Sequence, residues 1–91
     1  MERQQGDYEV GDVVTMGDVR LRLLALPTTT VRSEDTGVPL RTVRFECADA
    51  ATGARVALKY LQIGTAEPGV WSTADRIISP APVFARATPC N

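Results

Sequence analysis

Ninety-one residues make room for one small domain with a modest core. Hydrophobic residues at 44% and charged residues at 23% set aside a disordered polar chain. Ten basic against eleven acidic groups, a formal net charge of -1, argue against a cationic nucleic-acid sleeve and against an acidic DNA mimic, although charge can still segregate on a folded surface.

No run of about 18 apolar residues is present to cross a bilayer, so no membrane partner is expected. The opening MERQQGDYEVGD is polar and acidic, and no apolar stretch follows a basic start, so no secretory signal is expected. Two cysteines, Cys47 and Cys90, are too few for a disulfide framework. The expected location is the cytoplasm, with both thiols reduced. Histidine is absent, and one lysine stands against nine arginines, a bias that fits a GC-rich coding source better than any task.

In chain order, residues 1–7 read as a flexible lead-in. VVTM and VRLRLLAL then read as two strands joined by Gly17-Asp18, a two-residue turn whose leading glycine suits type II′. Val19, Leu21 and Leu23 share one face, and Arg20 and Arg22 share the other. The end of that strand, residues 23–26, is apolar on both faces and is expected to be covered on both sides, by the tail or a second subunit. Pro27 should end it, since proline gives no ladder hydrogen bond. Residues 27–38, PTTTVRSEDTGV, form a long polar connection whose TTTV start could add a strand.

The clearest feature is the hairpin RTVRFECADAATGARVALKYL. Val43, Phe45 and Cys47 alternate with Arg44 and Glu46, while Val56, Leu58 and Tyr60 alternate with Ala57, Lys59 and Leu61. Between the two runs, Asp49 can cap a turn and Gly53 can take a positive φ. Beyond Gln62 the alternation dissolves among Gly64, Pro68, Gly69, Pro80, Pro82 and Pro89. That density forbids a long helix. A short helical turn over residues 72–78, a closing strand or an extended wrap are the readings for this part.

The expected fold is therefore all-β, a small antiparallel barrel or curled sheet of four to six strands with an extended C-terminal tail. Residues 8–63 form the barrel domain, and residues 64–91 a proline- and glycine-rich tail partly packed on it. The opening YEVGDVVTM resembles the first strand of small SH3-like barrels, where an apolar-x-x-Gly-Asp-Val-Val segment often leads into the sheet. The resemblance implies a fold and no activity. It also implies that residues 27–38 occupy that fold's long first loop, which often touches ligands.

Chemistry is scarce in this chain. Without histidine the commonest general base is missing, and so are most nucleophile–base pairs. Glu34 and Asp35 lie side by side in the connection and read as solvated loop charges. Cys47 alternates inward as a small core residue, and Cys90 sits near the chain end. Two cysteines 43 residues apart make no zinc site, and neither a calcium loop nor a phosphate-binding glycine motif is present. The expectation is a protein that is not an enzyme and holds no metal or cofactor.

Two surfaces remain. Arg20, Arg22, Arg44 and Lys59 fall on one sheet face, interrupted by Glu46, and could follow a phosphate backbone. Polar strand faces also carry arginine simply because they meet water. Leu24, Leu26, Leu61, Val70 and Trp71 exceed what one face of a four-stranded sheet needs, although the tail can fold back over most of them. The leading expectation is a protein-interaction module, a bacterial or phage adaptor or inhibitor, binding an unidentified protein partner or a second copy in a homodimer. Arg32, Glu34, Asp35, Trp71 and a sheet edge would touch that partner. The alternative is a nucleic-acid-binding barrel using the basic stripe.

Overall fold

Alternating apolar and polar side chains bury one face of each strand, and the chain builds one curled antiparallel sheet on that principle. The computed structural model describes residues 8–33, 37–66, 68–74 and 76–86. Its strands are β1 (Val13–Met16), β2 (Val19–Leu23), β3 (Thr28–Ser33), β4 (Pro39–Asp49), β5 (Arg55–Ile63), β6 (Val70–Ser72), β7 (Ile77–Ile78) and β8 (Val83–Ala85). The sheet order is β7-β6-β5-β4-β2-β1-β8, with β3 also on β4. The sheet curls into a half-barrel, and no helix occurs among the described residues.

Local signals account for the hairpins. Met16 pairs with Val19 across Gly17-Asp18, and Gly17 at φ 58° supplies the left-handed first position of a type II′ turn. At the β4–β5 turn the Asp49 carboxylate accepts the Ala51 and Thr52 N–H groups at 2.8 and 3.1 Å, as expected for a capping aspartate, and Gly53 has φ 78°. The β4–β5 ladder then runs from Ala48↔Arg55 to Leu40↔Ile63, the longest in the sheet.

The concave face carries the core. Val14, Met16, Leu21, Leu23, Phe45, Cys47 and Leu58 are buried, with Tyr8, Val19, Val43, Val56, Trp71, Ile78 and Phe84 packed around them. The Trp71 ring centroid of β6 lies 5.7 Å from that of Phe84 on β8, and both lie within 5.6 Å of Phe45. Aromatic side chains therefore bridge the two arms of the half-barrel where strands do not pair. Asp12, almost fully buried ahead of β1, accepts the Glu9 N–H at 2.9 Å, and Arg86 beyond β8 lies 3.2 Å from both its oxygens.

Several expectations change. Among the described residues the sheet has eight strands against the four to six expected, because the part after Gly64 contributes β6, β7 and β8, in line with the closing-strand reading and not with a plain wrap. Residues 72–78 hold the end of β6 and all of β7 rather than a helical turn, with Thr73 N–H donating to Arg76 O at 2.9 Å. β2 ends at Leu23, four residues before Pro27. The apolar run after it is not covered on both sides in this chain, since Leu26 is 50% exposed. That run is a step: Leu23 faces Cys47 and Thr28 faces Arg44, so five residues advance against three and two extra are absorbed. Within the connection after Pro27, residues 28–33 form β3, the added strand that its TTTV start allowed. Residues 1–7, Glu34, Asp35 and Cys90 lie outside the described residues.

Candidate functional site

An antiparallel strand turns alternate backbone groups to opposite sides, so the phase of β4 decides what β3 shows to solvent. Leu24 N–H donates to Glu46 O and Ala50 N–H donates to Arg20 O, both at 2.8 Å. Even-numbered residues of β4 therefore point their backbone toward β2 and β3. By register, Thr28, Thr30 and Arg32 are the residues of β3 that bond to it. Thr29, Val31 and Ser33 then aim their N–H and C=O groups at the other side, where no strand pairs among the described residues. All six residues of β3 are exposed, and Val31 is 61% exposed.

Beside that edge the convex face is apolar where it would ordinarily be polar. Leu40 faces Ile63 across β4 and β5, and Leu61 faces Val70 across β5 and β6. Ile63 is 54% exposed and Val70 43%, and Val38 beside Gly64 is also exposed. Thr30 and Thr42 connect this patch to the edge strand. Arg32 sits opposite Leu40 at the same end. Of the residues singled out in the sequence, Leu61 and Val70 join this patch, whereas Leu26 sits in the β2–β3 step. Trp71 does not join it. Its half-buried ring packs 4.8 Å from Tyr60 and against Phe45 and Phe84 on the concave side.

The other end of the convex face is basic. Arg20 and Arg22 on β2, Arg44 on β4 and Lys59 on β5 are all exposed there, as expected from alternation. Arg55 joins them through the row Arg22↔Ala48↔Arg55. Arg44 and Lys59 are direct cross-strand partners, an unfavourable like-charge pair. Glu46 offsets it by an ion pair with Arg44, half-exposed on both sides and so of small energetic weight.

Cys47 is buried in the core, and its pKa is pushed up from 9.0 to about 11, first by loss of hydration and then by the neighbouring Glu46 charge. A thiol held protonated this way is a packing group and a poor nucleophile. Among the described residues no cluster of three or more His, Cys, Asp or Glu side chains could hold a metal ion, and no helix is long and apolar enough to cross a membrane.

Arg55 and the Val38–Leu40–Ile63 part of the apolar patch were not picked out from sequence. Strand parity would have found Arg55, which shares the parity of Lys59, whereas the apolar patch depends on the register of three strands. Compared with known protein families, curated proteins and solved structures, the chain matches none.

Proposed function

We propose that this protein is a non-catalytic interaction module of the cytoplasm, an adaptor or inhibitor that takes an extended segment of a protein partner onto the open edge of β3. The observation that carries this reading is the outward set of backbone groups at Thr29, Val31 and Ser33. An added strand finds main-chain hydrogen bonds there, and its side chains stand next to those of β3, beside Thr28, Thr30 and Arg32 on one face and Thr29, Val31 and Ser33 on the other. Edge strands are usually blunted by charge, proline or bulges. Over residues 28–33 only Arg32 does so.

The test is capture from a lysate of the source organism with the wild type and with Val31→Pro, each with and without nuclease. Proline at residue 31 removes an outward N–H and spares the β4 ladder. One dominant protein retained after nuclease by the wild type, and reduced at least tenfold by the variant, supports the reading. Equal retention by the variant counts against the β3 edge.

A second reading is nucleic-acid binding through Arg20, Arg22, Arg44, Arg55 and Lys59. The opposed Arg44–Lys59 pair favours it, because an anion bridging them relieves their repulsion. Recovery that collapses with nuclease, and affinity for a DNA oligonucleotide that falls steeply with salt, would put it first.

A further inference from the structure

The outward backbone groups of β3 belong to Thr29, Val31 and Ser33, so they are arranged evenly about Val31. All six residues of the strand are exposed, and no strand pairs with this edge among the described residues. An uncovered edge is a template for another extended chain, and the strand of matching length that is always present is β3 of a second copy. Two copies related by a two-fold axis bring one edge to itself, with the two strands running antiparallel.

Hydrogen bonding and charge then choose the register. With the axis at Val31, Thr29 faces Ser33 of the second copy, Val31 faces its own counterpart and Ser33 faces Thr29. Each of these pairs exchanges both N–H···O bonds, because all of them fall on residues whose backbone points outward. The pairs between them set Arg32 against Thr30 of the second copy, at the positions where side chains come closest. An axis moved to Thr30 would run Ser33 past the end of β3 onto Pro27, which has no N–H. An axis moved to Arg32 would place the two Arg32 side chains directly opposite, a destabilising like-charge pair. We propose that β3, when no other partner is bound, pairs antiparallel with β3 of a second copy of this chain about an axis at Val31. Such pairing presupposes that β3 is the open docking edge described above. One strand pair is a small interface, so the dimer separates on dilution and leaves the edge free for another protein.

The test is sedimentation equilibrium of the full chain at concentrations up to about 1 mM, where even a weak pair forms. The wild type is compared with Val31→Pro, Thr30→Glu and Thr30→Arg. Its mass is expected to move from one chain to two as concentration rises. Val31→Pro is expected to stay a monomer, since it removes the N–H on the axis. Thr30→Glu sets a carboxylate against Arg32 twice in each dimer and is expected to tighten it roughly threefold, whereas Thr30→Arg is expected to weaken it roughly fivefold. Thr30 is exposed, so both variants keep the core. A dimer that persists in Val31→Pro, or Thr30→Glu and Thr30→Arg shifting it in the same direction, would overturn the assignment. So would a wild type that stays monomeric throughout. If that monomer still loses its captured lysate protein on Val31→Pro, self-pairing alone fails and the docking edge stands; if it does not, both fail.

Discussion

At the scale of single residues, two buried groups make the sharpest predictions. Cys47 keeps its proton in the folded chain to about pH 11, against 9.0 for an ordinary thiol. A raised acid pKa means that the folded state holds more protons than the unfolded one between those values. Its contribution is therefore complete below pH 9 and declines as pH rises toward 11, by roughly 2–3 kcal/mol. Urea melts across that range should show the decline in a Cys90→Ser background, and Cys47→Ala should flatten it. Asp12 is the second group. Its carboxylate is nearly inaccessible and relies on Arg86 and on the Glu9 N–H. Arg86→Ala leaves that charge without its cation and should cost on the order of 1–3 kcal/mol, less than for a fully buried pair because Arg86 is half-exposed. A melting temperature unchanged in this variant would show that the contact does not tie the end of β8 to the start of β1.

At the scale of elements, β6 is held to β5 by contact too close for any side chain. A Cβ on Gly69 would meet Leu61 O at 2.5 Å and the Tyr60 ring at 2.5 Å, and the Gly69 N–H donates to Tyr60 Oη at 2.9 Å. Gly69→Ala should therefore destabilise by roughly 1–3 kcal/mol through overpacking. Val31→Pro should do much less and shift the melting temperature by no more than about 4 °C, because its N–H lies off the ladder. The contrast explains what could be read without coordinates. Residues 19–23, 43–47 and 56–60 alternate, and the turns between the strands carry Gly17, Asp49 and Gly53, so both hairpins and their inward faces were legible. β6 and β7 are too short to alternate, and their pairing rests on Trp71 meeting Tyr60 and Ile78, contacts set by the curl of the sheet. β3 was legible only as one option: the TTTV start offered a strand, but threonines alternate with nothing, so a strand exposed on both faces also reads as a polar loop. The basic face was legible from parity, and the apolar patch was not, because it spans the ends of three strands and depends on their register.

Over the whole molecule, β4 and β5 outrun the core. Their middles sit over Phe45, Cys47 and Leu58, and their far ends carry β3 and the patch from Leu40 to Ile63 away from it. The principal extents of 47 × 30 × 20 Å describe that elongated form. The core and the basic face lie toward the Asp49–Arg55 turn, and the open edge lies toward Pro39. Stability and the proposed binding edge are thereby separated along one ribbon, so edge variants can be tested in a folded chain.

The account stands most directly on the backbone alternation of β3, which amide hydrogen exchange of the isolated monomer reads residue by residue. The expected pattern is protection at Thr28, Thr30 and Arg32 with exchange near unfolded-chain rates at Thr29, Val31 and Ser33, which then become protected when the captured partner is added. Protection of all six amides in the isolated monomer would mean that the edge is already covered. Equally fast exchange at all six would mean that β3 is not held on β4, and either result would contradict the proposed docking edge.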